Sequence, residues 1–91
     1  MTKHVSINVR GKVQGVFFRA STKEKAEELN LNGFVRNEPD GSVYIEVEGR
    51  DKDLKTFIDW CREGPGLARV DYCDITENQL KGFSGFMIVR K

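Results

Sequence analysis

The chain has 91 residues, of which 15 are basic and 14 acidic, so its formal net charge at pH 7 is +1. This length allows one hydrophobic core, and we expect a single domain over residues 1–91. The balanced charge offers no basic surface for nucleic acid or a membrane. The N-terminal residues lack the apolar run of a signal peptide, which favours a cytoplasmic protein. Two cysteines, Cys61 and Cys73, are too few for a disulfide framework and are expected to be reduced.

The first predicted strand alternates apolar with polar residues and buries one face through Val5, Ile7 and Val9. It continues into residues 9–19, which contain two glycines and end in an arginine beside a helical pattern. Gly11 and Gly15 can adopt conformations that direct successive N–H groups at one anion. Arg19 would add its charge to the positive end of the helix dipole. The segment predicts a phosphate site, although an ordinary strand-to-helix turn with a solvated arginine has the same pattern.

The first helix is predicted over about residues 19–31, with Asn32-Gly33 as its stop. Its start is ambiguous, because Ser21 and Glu24 have the spacing of a capping box, whereas the preceding loop indicates an earlier start. A short strand follows over residues 34–37.

The next residues, Glu38-Pro39-Asp40-Gly41, have proline and glycine where a tight turn requires them. The alternation of Val43, Ile45 and Val47 then completes a hairpin. A second helix is predicted from near Asp51 to Gly64, where glycine and proline end it.

Two further strands are predicted near residues 68–76 and 85–90. The order βαββαβ, with strands apolar on one face, predicts an α+β protein with a ferredoxin-like split-βαβ sandwich. In this arrangement two helices cover one face of an antiparallel-rich sheet, and we expect the other face to be open to solvent.

Residues 81–88 have a superficial similarity to the RNP1 consensus, in which aromatic side chains on an open sheet stack bases. The segment has one residue too many and lies on the last strand, whereas the consensus belongs on a central one. We therefore expect a turn at Lys81-Gly82, a closing or edge strand with Phe86 and Ile88 in the core, and no nucleic-acid partner.

Two segments resemble the signature segments of the acylphosphatase family. The first is Val-Arg-Gly-Lys-Val-Gln-Gly-Val-Phe-Phe-Arg over residues 9–19, and the second is Gly-Phe-Val-Arg-Asn over residues 33–37, with Gly-Ser-Val and a later glycine after it. The resemblance spans essentially the whole chain. It implies the ferredoxin-like fold and hydrolysis of acyl phosphates to a carboxylate and inorganic phosphate, and we expect a monomer.

Catalysis is assigned by this resemblance to Arg19 and Asn37. The phosphoryl group would be held by Arg19 and by N–H groups of the loop residues Gln14, Gly15, Val16, Phe17, Phe18 and Arg19. Asn37 would orient a water for in-line attack, without a phosphoenzyme intermediate.

The residue inventory fits this chemistry without a metal or other cofactor, because a carboxylate leaving group departs without a proton and the reaction needs mainly positioning and charge stabilisation. The chain contains no closely spaced set of cysteines and histidines of the kind that binds zinc. By itself, Asn37 has the character of an ordinary polar residue at a strand end. A phosphate-binding or regulatory module of the same fold, without turnover, therefore remains the alternative.

Overall fold

The computed structural model describes residues 2–90, which form five strands and two helices. In chain order these are β1 Thr2–Lys12, α1 Phe18–Glu28, β2 Asn32–Asn37, β3 Val43–Arg50, α2 Asp51–Glu63, β4 Arg69–Asn78 and β5 Phe86–Val89. Each predicted element is present, and the predicted α+β, ferredoxin-like fold is confirmed.

The five strands form one sheet in the order β4-β1-β3-β2-β5. All neighbouring pairs are antiparallel except β2 and β5, which are parallel. The two central strands, β1 and β3, are in a register that places apolar residues of both strands opposite each other, as in Val5 with Val47 and Ile7 with Ile45. β5 is an edge strand, and its Phe86 is buried in the core, as predicted.

Both helices pack into the same core as these central strands. α1 contributes Phe18, Thr22 and Ala26, and α2 contributes Leu54, Phe57 and Cys61. Neither helix in residues 2–90 has the length and apolar character that crossing a membrane requires.

The predicted end of the first helix was wrong, because α1 ends at Glu28 and not at Asn32-Gly33. Asn30 adopts a left-handed conformation with φ 57°, which asparagine tolerates better than most residues. The Leu31 N–H then donates to the Ala26 carbonyl at 2.8 Å and completes the helix terminus. Gly33 instead lies in β2 against the Glu46 carbonyl, where a side chain would not fit.

The second face of the sheet is only partly open to solvent, in contrast to the prediction, because residues 81–83 cover the part around His4 and Glu48. His4 is fully buried there, with Nε2 2.9 Å from Glu46 Oε1 and Nδ1 2.9 Å from Glu48 Oε2. The backbone N–H groups of residues 81–83 donate to the Glu48 carboxylate. His4 of β1 and Glu46 and Glu48 of β3 therefore form a hydrogen-bonded cluster beneath residues 81–83.

The Glu48 carboxylate links folding to pH. Burial alone raises its pKa, but hydrogen bonds from the Lys81 N–H, the His4 ring and the Phe83 and Gly82 N–H groups outweigh burial and hold the pKa below its ordinary 4.5. A lowered pKa in the folded state means that this stabilisation is complete above pH 4.5 and is lost as pH falls through the folded value.

We expect Glu48→Gln to lower the free energy of unfolding at pH 7 by roughly 2 kcal/mol, because the amide cannot accept all of these hydrogen bonds. The variant should also lose stability less steeply than the wild type below pH 5. Urea unfolding at pH 7, 5 and 3 measures both effects. Glu28→Gln is the control, because it makes the same charge change at an exposed helix position. Equal pH slopes of stability for wild type and Glu48→Gln would contradict the stabilising role of the Glu48 carboxylate.

Candidate active site

Three strands bring the predicted site residues to one edge of the sheet. β1 and β2 each run antiparallel to β3, so they are parallel to each other, and β5 is parallel to β2. The C-terminal ends of all three strands therefore lie at the same edge. Residues 13–17 follow β1, Asn37 ends β2 and Arg90 follows β5.

A cavity of about 370 Å³ opens at this edge, and its lining includes Gly15, Phe17, Phe18, Arg19 and Asn37. A second cavity, of about 450 Å³, also has Arg19 and Asn37 in its lining. The structure thus brings together the arginine and the asparagine that the two sequence segments contribute from different elements.

The loop of residues 13–17 enters α1 through two left-handed residues, Gly15 with φ 74° and Phe17 with φ 61°. α1 begins at Phe18, so Arg19 is its second residue, and the structure resolves the ambiguous start in favour of the earlier position. Within residues 2–90, no side chain caps this terminus and no acidic residue lies in its first turn. The terminal N–H groups and the positive end of the helix dipole are therefore available to an anion.

Gln14 and Val16 are not among the lining residues of the cavity. The Gln14 side chain instead donates from Nε2 to the carbonyls of Glu38 at 2.8 Å and Ser42 at 2.9 Å. Val16 is buried in the core. Any contribution of these two residues to anion binding must come from their backbone, whereas Gln14 has a structural contact that the sequence did not reveal.

The Asn37 side chain has an unpartnered acceptor. Its Oδ1 is buried and has no hydrogen-bond partner in the part of the chain that the structure describes. A buried polar atom without a partner costs about 1–3 kcal/mol, so such an atom in a residue that lines a cavity calls for an explanation. An oxygen of this kind can accept a hydrogen bond from a water molecule or a ligand.

Two charged residues beside Asn37 pair with each other. The Arg36 Nε donates to Glu38 Oε2 at 2.6 Å, which balances the carboxylate that lies nearest in sequence to the asparagine. The Arg36 guanidinium also stacks over the Tyr44 ring, 4.8 Å from its centroid. Arg36 is therefore engaged by Glu38 and Tyr44. Arg19 remains the arginine that the sequence predicts for the site and that also lines the cavity.

Arg90 is a lining residue of both cavities that the sequence analysis did not single out. The register pairs Arg36 with Val89, so the next positions along the two parallel strands are Asn37 and Arg90. The only signal that could have found Arg90 is the parallel pairing of β2 with β5, and local periodicity does not encode this pairing.

The two cysteines lie apart from the cavity lining and are both free. Cys61 is buried in the core, and burial raises the pKa of its thiol well above the ordinary value. A thiol in such surroundings is a poor nucleophile, because the thiolate is the reactive form.

Comparison with known proteins assigns the family. The family model described as Acylphosphatase matches residues 5–88. The chain belongs to the acylphosphatase family. A relative from Syntrophus aciditrophicus, named Acylphosphatase, is 47% identical over 90 residues, which cover 98% of this chain and 94% of the relative.

Solved acylphosphatase structures have the same fold. The acylphosphatase from Coxiella burnetii superposes with a TM-score of 0.94 at 36% identity, covering 97% of this chain and 93% of that one. The acylphosphatase from Bacillus subtilis has the same TM-score at 35% identity, covering 99% and 100% of the two chains. The family resemblance of the two sequence segments is therefore confirmed, and the similarity extends over nearly the whole chain.

We expect Gln14→Leu to lower the free energy of unfolding of this protein by about 1–3 kcal/mol, because it removes two hydrogen bonds between the loop and the hairpin, although the Glu38 and Ser42 carbonyls each keep a backbone donor. The matched variant Gln79→Leu changes an exposed glutamine and should have little effect. Urea denaturation of both variants measures the difference. Equal stability of the two would mean that the Gln14 side chain does not hold the loop against the hairpin.

Proposed function

We propose that this protein hydrolyses the carboxyl-phosphate bond of acyl phosphates, in a site formed by Arg19, Asn37 and the loop before α1. Family membership and fold support the reaction. The observation that best supports this site is the cavity that Arg19 and Asn37 line together at the uncapped start of a helix.

The phosphoryl group binds at the start of α1. The Arg19 guanidinium makes paired hydrogen bonds to two phosphoryl oxygens, and the N–H groups of residues 14–19 surround the same charge. The left-handed conformations of Gly15 and Phe17 support this role, because such residues let consecutive N–H groups point into one concave surface.

Asn37 holds the attacking water from the end of β2. Its side-chain amide forms a hydrogen bond with the water and directs a water lone pair at phosphorus. A neutral amide suits this position, because a carboxylate would repel the phosphoryl dianion. The water oxygen forms the new bond to phosphorus, the bond from phosphorus to the carboxyl oxygen breaks with its electron pair, and a phosphoryl oxygen accepts the water proton.

The chemistry needs little acid-base assistance. A carboxylate is a stable leaving group that departs without a proton, so positioning of the water and stabilisation of charge carry most of the catalysis. Hydrolysis is favoured over binding without turnover, because the chain matches acylphosphatases over nearly its whole length and Asn37 lines the same cavity as Arg19.

In the cell, the protein acts as a cytoplasmic monomer. The two free cysteines suit a reducing compartment. A single chain contributes both Arg19 and Asn37, so the proposed site requires no second copy. Sedimentation equilibrium would test the monomer, and fractionation of cells that produce the protein would test the compartment.

Hydrolysis is tested with acetyl phosphate in the presence of EDTA. The wild type should release inorganic phosphate, and Arg19→Lys should reduce kcat/KM by about a hundredfold, because an ammonium cannot make the paired contacts of a guanidinium. Arg62→Lys makes the same change at an exposed position outside the cavity and should keep full activity. Absence of release by the folded wild type would reject the function, and an active Arg19→Lys would reject the role of Arg19.

Asn37→Ala separates catalysis from binding. We expect kcat to fall about a hundredfold, because the contact with the water contributes mainly in the transition state. The inhibition constant of inorganic phosphate should stay within about twofold, because Asn37 does not hold the phosphoryl group. These quantities are measured by steady-state kinetics with phosphate as a competitive inhibitor.

Asn8→Ala is the matched control, because Asn8 Oδ1 is also buried without a partner in residues 2–90, but Asn8 does not line the cavity. This variant should keep its kcat. An equal loss of phosphate affinity and turnover in Asn37→Ala would make Asn37 a phosphate ligand instead.

A further inference from the structure

Phe17 combines two features that are unfavourable in a folded protein. Its side chain is 77% exposed, and its backbone is left-handed with φ 61° and ψ 23°. A bulky side chain in this region of backbone space is an outlier, and glycine would adopt the conformation without steric cost. Burial of the ring does not compensate for the strain, and strained residues of this kind concentrate at functional sites.

The exposed ring lies at the cavity that contains Arg19 and Asn37. These two residues account for the phosphoryl group and the water. Of the larger apolar residues in the remaining lining, Val13 and Phe18 are buried and Ile88 is half-buried, so Phe17 presents the exposed apolar surface. Contacts with a phosphate ion do not require such a surface. The apolar part of the cavity therefore has a chemical character that matches the organic half of an acyl phosphate.

In-line displacement determines where this organic half lies. The entering water and the departing carboxylate occupy opposite sides of the phosphorus. Asn37, which orients the water, ends β2, whereas Phe17 belongs to the loop after β1, and β3 lies between these two strands. An acyl group that departs away from Asn37 is thus directed towards the side of the site that carries Phe17.

We propose that Phe17 forms an apolar wall against the acyl group, so that the site prefers acyl phosphates whose acyl chain is larger than acetyl. This inference rests on the proposed hydrolysis. Contact with a longer chain removes apolar surface of both the ring and the substrate from water, which favours binding in proportion to the area covered.

The test compares hexanoyl phosphate with acetyl phosphate, because their leaving carboxylates are anions of nearly equal stability. We expect the ratio of kcat/KM for hexanoyl over acetyl phosphate to exceed one in the wild type and to fall about fivefold in Phe17→Asn. Asparagine tolerates the left-handed conformation but removes the apolar surface. Any change in phosphate binding by the loop affects both substrates and cancels in the ratio.

Two further variants sharpen the comparison. Phe17→Tyr keeps the aromatic surface and should keep the wild-type ratio. Leu67→Asn removes another apolar side chain, 72% exposed and outside the cavity lining, and should also keep the ratio.

The possible failures are distinguishable. A wild type that hydrolyses neither substrate overturns the proposed function itself. Hydrolysis of both substrates with an unchanged ratio in Phe17→Asn, or with the same fall in Leu67→Asn, overturns only the role of Phe17.

Discussion

The site depends on one pair of hydrogen bonds, those that the Gln14 side chain donates to the carbonyls of Glu38 and Ser42. Gln14 belongs to the loop that leads into α1, whereas the two carbonyls flank the turn between β2 and β3. Since Arg19 follows the first segment and Asn37 precedes the second, these bonds connect the two sides of the cavity. The pairing of β1 and β2 with β3 sets the coarse positions of the two sides, and the Gln14 bonds add a direct tie between the loop and the turn. Catalysis by positioning tolerates little displacement, so we expect this tie to matter.

The direction of the strands explains why the cavity lies where it does. β1, β2 and β5 are parallel, although β3 separates the first two in the sheet. Their C-terminal ends therefore bring the loop of residues 13–17, the Asn37 amide and a second arginine, Arg90, to one edge. A helix that begins at the same edge adds its unpaired N–H groups. The resulting site concentrates positive potential locally in a chain that is almost neutral overall.

The cluster beneath residues 81–83 and the edge of the sheet that carries the cavity differ in how their residues are compensated. Beneath residues 81–83, the Glu48 carboxylate accepts several backbone N–H groups and a contact from His4, so the buried charge is well compensated. At the site edge, Asn37 Oδ1 has no partner within residues 2–90, and Phe17 holds an exposed ring on a left-handed backbone. Asn8 Oδ1 is also unpartnered and lies outside the cavity lining, so the exposed Phe17 is the feature that sets the cavity apart.

The sequence by itself determined the α+β fold and the order of elements, because alternation and helical spacing are local. It also predicted Arg19 and Asn37 as site residues from two contiguous family segments, and the structure places both in the lining of one cavity. Asn30 shows the limit of local signals, since its left-handed turn ended α1 before the Asn32-Gly33 stop. Only the tertiary structure decided that Gln14 holds the hairpin, that Arg90 lies beside Asn37 and that His4 is covered. These contacts join residues far apart in the chain, and they arise from strand pairing and from hydrogen bonds that must be satisfied in the folded state, which the period of a single element does not encode.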